Sequence, residues 1–309
     1  MSTQSMSGTT TLFPVYGKAR SFGIPKDWQS FWRFLRRYGG GVLATLVLLV
    51  IIFSITFADR LTPHDPIQMD LRNRFAPPVW SDGGTMSHPL GTDNLGRDVL
   101  ARTLYGGRVS LRVALTASTI STVVGLLLGL VSGYLGGIVD RVIALITNIW
   151  VSFPFLVLAL AVIAAVGTSI TVLVVLLSLA GWVYPARVTR AQTLRVRQYD
   201  YVDASIALGA SPAHIIRHHI VPNVASINII LWTLSVGTLI IIESSLSFIG
   251  LGVSPPDPSW GNMLSSGQMY LQDAWWLSVF PGLALMLTIL CINSLGDALQ
   301  RMNDYRQQL

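Results

Sequence analysis

Six long apolar runs constrain the fold more than any other feature of this 309-residue sequence. Most of them are near the roughly 20 residues that an α-helix needs to cross a bilayer. A helix satisfies its backbone hydrogen bonds internally, so such runs predict an all-α integral membrane protein. Charged residues make up only 12% of the chain, against about 25% in soluble domains. The predicted spans are 39–58, 110–134, 142–166, 169–184, 224–251 and 275–294.

The distribution of Lys and Arg predicts how these spans are oriented. Six basic residues precede the first span, and five Arg lie in segment 187–223. Basic segments stay in the cytoplasm, so both termini and segment 187–223 are predicted to be cytoplasmic. The loop 252–273 has no Lys or Arg, and the loop 59–109 balances six Arg with six Asp. The predicted divisions are a cytoplasmic segment 1–38, a first transmembrane helix 39–58, an extracytoplasmic loop 59–109, a core 110–297 that contains a cytoplasmic loop 187–223, and a cytoplasmic tail 298–309.

Several function classes are disfavoured by what the sequence lacks. The net charge of +6 follows from the topology, so nucleic acid is not expected as a partner. No P-loop, HExxH or GxSxG pattern occurs, so we expect neither catalytic residues nor an ATP site in this chain. Adjacent His218 and His219 do not share a helix face, so no metal site is expected. The single cysteine, Cys291, excludes an intrachain disulfide.

Two features in or next to the spans carry structural predictions. Gly125, Gly129, Gly133 and Gly137 recur every four residues, which predicts close helix packing. Pro154 is expected to kink the third span.

Glu243 is the only carboxylate inside a predicted span, and Ser247 lies near the same helix face. Burying a carboxylate in lipid without compensation is costly, so the side chain needs a cavity or a partner. These two residues are candidates for the pore lining. The alternative is a structural hydrogen bond between helices.

The stretch "YVDASIALGASPAHIIRHHIVPN", residues 201–223, is polar and amphipathic although it lies between two apolar runs. Gly209 interrupts its helical pattern, Ser211 is placed as a helix cap, and Pro212 suits a first helical turn. Pro222 is expected to end the passage. The sequence therefore predicts two short helices joined at a glycine corner, a knuckle suited to a groove on another protein.

This stretch resembles the EAA loop of bacterial ABC-importer permeases. Asp203, Ala204 and Ser205 occupy the Glu-Ala-Ala positions, with Gly209 and Pro222 at the expected distances. His219, where Ile is usual, is a mild departure. Segments 90–111, 243–264 and 275–300 are similar to further signatures of the dipeptide, oligopeptide and nickel permeases. Together these resemblances cover nearly the whole chain after about residue 30.

The resemblance implies the second, C-type permease of a pair in the bacterial inner membrane. It implies a type I core of five helices plus an extra N-terminal helix, forming half of a pore for di- or oligopeptides. The implied partners are the lipid bilayer, a second permease, two ATPases that bind ATP and Mg²⁺, and an extracytoplasmic binding protein; no cofactor is expected in this chain. The ATPase-coupling residues would be Asp203, Ala204, Ser205, Gly209, Ser211, Pro212 and Pro222.

Other functions stay open within and beyond this class. Relatives carry nickel complexes or glutathione-like molecules, so the cargo is not fixed by the resemblance. A stand-alone secondary transporter would need more intramembrane ionisable residues than Glu243. Asp93, Arg97, Asp98 and Trp260 are candidate contacts for the binding protein, with an internal salt-bridge network as the alternative for the charged residues.

Overall fold

The described part of the chain folds mainly into α-helices. The computed structural model describes the backbone of residues 28–307 and the side chains of residues 40–303. Most of segment 1–38 and the end of the tail 298–309 therefore lie outside the described residues. The helices are α1 (Trp28–Thr56), α2 (Ala58–Leu61), α3 (Val99–Leu135), α4 (Gly137–Ser152), α5 (Phe155–Val166), α6 (Ile170–Gly181), α7 (Val183–Arg197), α8 (Asp200–Ala207), α9 (Pro212–Ile215), α10 (Val221–Phe248), α11 (Trp260–Gly267) and α12 (Trp276–Gln307).

Each of the six predicted spans corresponds to helical structure. Within the described residues, four helical runs are long and apolar enough to cross a membrane, and α4 with α5 supplies a fifth if the bent pair counts as one span. The described part of α1, Gly40–Thr56, is a shorter apolar helix. The all-α membrane architecture is confirmed, whereas the orientation of the termini stays a prediction. The four runs are Val99–Leu135, Ile170–Arg197, Pro212–Phe248 and Trp276–Asn303.

The third span is broken rather than merely kinked. α4 and α5 meet at an angle of 82°. Pro154 disfavours the helical conformation at Phe153, which is extended with ψ 129°, so α4 ends before it. In the last turn of α4 the Ser152 hydroxyl donates to the Asn148 carbonyl over 2.8 Å.

Glycines hold α3 and α7 in close contact. A Cβ on Gly129 would lie 2.6 Å from the Ala186 carbonyl oxygen, and Gly125 and Gly133 approach α7 as tightly. The prediction of close packing is therefore confirmed for three of the four glycines. Gly137 differs, because its surroundings are open and its φ of +57° serves the turn between α3 and α4.

α3 begins well before its apolar run. The Asp98 side chain caps the helix by accepting from the Ala101 amide over 2.7 Å, so the helix starts at Val99 rather than at residue 110. The first turns are polar but buried, since Arg102, Thr103 and Ser110 are covered by the rest of the outer region. Hydropathy alone therefore misplaced this boundary.

Candidate functional site

The glycine corner at residues 208–210 is built as predicted. The Ala210 amide donates to the Ser205 carbonyl over 3.1 Å, and the Gly209 amide donates to the Ile206 carbonyl over 2.9 Å. This pair of bonds is the Schellman ending of a helix, which requires positive φ at the residue after the cap. Gly209 supplies it with φ +84°. A Cβ there would meet nothing within 4 Å, so within this chain the glycine is needed for its backbone conformation alone.

A second helical passage starts directly after the corner. The Ser211 hydroxyl accepts from the His214 amide over 3.3 Å, and Pro212 occupies the first turn of α9. The prediction that Pro222 ends this passage is wrong. A π-helical turn, Ile216–Ile220, joins α9 to α10, and the Val221 amide bonds to the Ile216 carbonyl. The wider turn lets Pro222, which has no amide hydrogen, sit at the start of α10 without ending the helix.

The corner packs against a cluster of buried apolar side chains. Val202 of α8 and Ile220 and Val224 beyond the corner are completely buried. They pack, together with Ile215, against the ends of the two helices that the glycines hold together, through Leu130 of α3 and Val196 of α7. The two short helices and their corner, residues 200–220, thus form one rigid unit with α3 and α7. We call residues 200–220 the knuckle.

Two polar contacts tie the halves of the knuckle together. The His219 ring and the Ser205 hydroxyl are hydrogen-bonded over 3.2 Å. The Asn223 side-chain amide donates to the Tyr201 hydroxyl over 3.2 Å. Partial desolvation raises the pKa of that hydroxyl. His219, where the sequence departs from the EAA pattern, therefore has a structural partner in Ser205.

The outer surface of the knuckle is exposed and partly apolar. Leu208, at the tip beside Gly209, is 89% exposed, and Ile206 and Tyr201 are also exposed. Asp203 and Ala204 lie on the exposed side of α8, and Asp203 has no ion-pair partner among the described side chains. Leu208, Ile206 and Tyr201 thus leave several large apolar side chains exposed on one short segment, and a grouped apolar surface with a polar rim is typical of a protein-docking site.

An ion pair that the sequence analysis did not predict joins α7 to α4 near the knuckle. The Arg190 guanidinium of α7 donates to both Asp140 carboxylate oxygens of α4. The Ser132 hydroxyl of α3 donates to the same carboxylate. Arg190 was counted only for topology, and its separation of 50 residues from Asp140 gave no sign that the two meet.

The pore-lining candidates are internal in this chain. Glu243 is completely buried, and Ser247 is 2% exposed. The Ser247 hydroxyl donates to one carboxylate oxygen over 2.8 Å, and the Ser244 hydroxyl lies 3.2 Å from the other. α11 covers this group, since a Cβ on Gly261 would lie 2.4 Å from the Ser244 carbonyl oxygen. Both serines lie on α10 with Glu243, so these bonds are not the hydrogen bond between helices that was the alternative, and the pore-lining role stays a prediction.

The charged outer-loop candidates form an internal network. The Arg97 guanidinium donates to Asp93 over 2.7 Å, and Arg102 lies 3.6 Å from the same carboxylate. Asp98 caps α3 and also meets His88 over 2.9 Å. All of these aspartates and arginines are buried. The geometry fits the internal alternative, so these side chains offer little surface to a binding protein.

Trp260 is likewise internal rather than a surface contact. It is among the largest completely buried side chains, and its indole donates to the Thr103 carbonyl over 2.9 Å. Its backbone amide also approaches the Ser110 hydroxyl over 3.4 Å. The residue therefore joins α11 to α3.

One group of side chains has the composition of a metal site. His64, His88 and Asp98 present ligand atoms within 4.8 Å of one another. The His64 ring already bonds the Ser87 carbonyl over 2.8 Å, and the His88 ring bonds Asp98. These partners satisfy the group without an ion, and the expectation of no metal stays a prediction.

Comparison with family models covers most of the chain. Residues 125–308 match the family described as "Binding-protein-dependent transport system inner membrane component". Residues 27–78 match the "N-terminal TM domain of oligopeptide transport permease C". The second match covers most of α1 and the start of the outer loop, and the first covers the knuckle.

Similar proteins are named as transport permeases. The dipeptide transport system permease protein DppC of Escherichia coli (strain K12) is 41% identical over 272 residues, or 88% of this chain and 91% of that protein. The di/tripeptide permease DppC of Pseudomonas aeruginosa is 35% identical over 91% of this chain and 92% of its own length. The glutathione transport system permease GsiD of Shigella flexneri is 37% identical over 90% of each.

A solved structure shares the fold. An inward-facing form of the MetNI methionine ABC transporter contains a chain that matches with a TM-score of 0.51 and 22% sequence identity. The match covers 64% of this chain and 94% of that one. At this identity the similarity concerns the fold alone, and it supports a type I importer core with additional structure outside the matched part.

Proposed function

Because the chain belongs to the family of binding-protein-dependent transport system inner membrane components, we propose that it forms half of the translocation pathway of an ATP-driven importer for di- or oligopeptides. Within this class, permeases work with a second permease, ATPase subunits and an external binding protein. In this assembly the chain pairs with a homologous but different permease, and two ATPases bind ATP and Mg²⁺. The chain itself carries no catalytic step.

The observation that carries the proposal is the exposed tip of the knuckle. Leu208 projects next to a glycine whose missing side chain leaves open space. Burying a leucine in a groove of a partner contributes about 1.5–3 kcal/mol. Asp203, exposed on the same short helix, is placed to pair with a basic residue of the ATPase. A side chain as large as arginine at Gly209 would enter the space that the partner fills.

The attachment of the knuckle to α7 and α3 supports a role in transmitting movement. α8 follows α7 after two residues, and α7 is locked to α3 by the close approach at the three glycines. A displacement of the knuckle therefore moves α3 and α7 together, because packed helices shift as rigid bodies. The Arg190–Asp140 pair extends the same body to α4, the first half of the broken span. Closure of the ATPase dimer is thereby carried from the knuckle to the pore.

Glutathione is a second candidate cargo. A relative named for glutathione transport matches this chain about as well as the relatives named for peptides. Glutathione is itself a peptide, so one pathway accommodates both classes. Nickel complexes remain a more distant candidate within the same permease class.

Co-purification from the native membrane tests the proposal. Tagged wild-type protein in mild detergent is expected to bring a second permease and two ATPases. Leu208→Asp and Gly209→Arg are expected to lose the ATPases while keeping the other permease. Met86→Asp is the matched control, because Met86 is 83% exposed in the loop predicted to be external. Wild-type protein that emerges alone, or variants that keep their ATPases, would contradict the proposal. Uptake of labelled dipeptide, challenged with glutathione, then distinguishes the cargoes.

A further inference from the structure

Two cavities meet at the outer end of α3. A polar cavity of about 600 Å³ lies between the outer loop and α3, and an apolar cavity of about 770 Å³ continues between α1, α3, α10 and α12. Both are lined by Asp59, Arg108 and Arg112. The shared residues make the two cavities one compartment with a polar end and an apolar end.

Arg112 lacks a direct ion-pair partner at this junction among the described side chains. The Arg108 guanidinium donates to Asp59 over 2.7 Å, and this contact with that of Tyr105 lowers the Asp59 pKa to about 2. Asp59 is therefore ionised and cancels the charge of Arg108. Arg112 is exposed and has no carboxylate partner among the described side chains. An anion placed at the junction would gain a charge-assisted hydrogen bond from it.

The apolar cavity is unsuited to a peptide backbone. The Thr116 and Thr233 hydroxyls donate to carbonyls of their own helices, at 2.7 and 3.0 Å. The Trp232 indole donates to Thr119 over 3.1 Å. Peptide carbonyls would find few free donors there, and burying them without partners is costly. Apart from Thr56 and the three charged residues shared with the polar cavity, the remaining lining is aliphatic: Leu48, Ile52, Ile55, Leu111, Leu115, Val236, Ile292 and Leu295.

The polar cavity offers negative charge beside Arg112. Asp65 and Asp257 line it, both are exposed, and neither has an ion-pair partner among the described side chains. With Arg108 and Asp59 paired, the compartment presents one further cation and two further carboxylates at its polar end, and a mainly aliphatic cavity beyond. A molecule that matches this pattern has an anionic group flanked by an ammonium group and an apolar tail.

We propose that this compartment binds a phospholipid with a zwitterionic amine headgroup. Arg112 holds the phosphate, Asp65 and Asp257 face the ammonium group, and an acyl chain lies between α1 and α3. The lipid would fix the N-terminal helix α1 to the core at its outer end, where Arg108 already bonds the Ile55 and Thr56 carbonyls. This site is separate from the knuckle and does not depend on which cargo is carried.

Native mass spectrometry of the purified complex tests the site. The complex is reconstituted in nanodiscs of phosphatidylethanolamine and phosphatidylglycerol in equal parts, then stripped progressively with detergent. Wild type is expected to retain phosphatidylethanolamine last. Arg112→Gln is expected to bind it about tenfold more weakly, as for loss of one hydrogen bond to a charged group. Leu115→Trp, which fills the apolar cavity, should also lose it. Arg141→Gln, an exposed arginine on α4, is the matched control and should behave as wild type.

Several results would overturn the proposal. These are equal retention in wild type and Arg112→Gln, preferential retention of phosphatidylglycerol, or no retained lipid at all. A cross-link from Leu115→Cys to the second permease would assign the groove to a protein helix instead. If Arg112→Gln fails to assemble, the headgroup preference of wild type and the effect of Leu115→Trp decide the question. Uptake activity is not used as a readout, so failure of the proposed transport function would not affect this test.

Discussion

The Arg190 guanidinium donates two hydrogen bonds, of 2.5 and 2.6 Å, to the Asp140 carboxylate and so joins α7 to the first turn of α4. The Ser132 hydroxyl of α3 donates to the same carboxylate over 2.5 Å. Three helices that meet near the knuckle thus share one carboxylate. The contact links the helices that carry the knuckle to α4, the first half of the broken span.

Removing this pair should cost little stability but loosen the link to α4. Both side chains are partly exposed, so we expect Asp140→Asn to cost at most about 1 kcal/mol. A double-mutant cycle with Arg190→Gln measures the coupling from thermal unfolding of the purified complex. The expected result is that the double variant is no less stable than the worse single variant. Additive losses would mean that the two side chains do not interact.

Gly209 should tolerate asparagine better than valine. The position needs φ near +84°, which asparagine adopts more readily than a β-branched residue. If backbone conformation is the only requirement, Gly209→Asn keeps most uptake and Gly209→Val loses it. If the partner also needs the open space, both variants lose ATPase binding while the permease stays folded. Parallel uptake and co-purification assays separate the two cases, and full activity of Gly209→Val would exclude both.

Glu243→Gln should preserve transport. The side chain is completely buried and its carboxylate accepts from serine hydroxyls, a role that an amide oxygen partly fulfils. Glu243→Ala, by contrast, leaves a cavity and removes the acceptor, which we expect to lower stability by about 2–4 kcal/mol. Expression level, thermal unfolding and dipeptide uptake are measured for both. Loss of uptake in a stable Glu243→Gln variant would restore a direct role in the pathway.

Gly129→Ala should separate α3 from α7. Its Cβ would lie 2.6 Å from a backbone oxygen of α7, so the helices must shift, at a cost of about 1–3 kcal/mol. Gly40→Ala is the matched control, because a Cβ there meets nothing within 4 Å. Thermal unfolding is expected to show a lower midpoint for Gly129→Ala alone. An unchanged midpoint would mean that this contact does not define the packing.

Hydropathy and local signals were sufficient for the helical architecture and for the knuckle. Apolar runs of spanning length leave the backbone few alternatives in lipid. The corner follows from local chemistry, since Gly209, Ser211 and Pro212 each favour one specific backbone geometry. The end of the passage was less predictable. Pro222 usually signals a stop, but the preceding π turn accommodates it, and no residue in the sequence announces that turn.

Side-chain contacts between residues distant in sequence could not be predicted from local sequence patterns. Glu243 was read from its helix face, but its burial under α11 depends on a close approach at Gly261. Asp140 and Arg190 are separated by 50 residues and meet only because the glycines bring α3 and α7 together. The start of α3 was misplaced because its buried first turns are polar, and hydropathy treats such residues as loop.

Cross-linking from the tip of the knuckle tests the central claim most directly. Leu208→Cys places an exposed thiol beside Gly209, while the native Cys291 is buried and does not compete. In intact membranes, a short bismaleimide is expected to join Leu208→Cys to an ATPase subunit, whereas Met86→Cys in the outer loop yields no such product. Absence of any ATPase product from a folded, expressed Leu208→Cys protein, or its appearance from Met86→Cys, would contradict the assignment of this knuckle as the ATPase-coupling element.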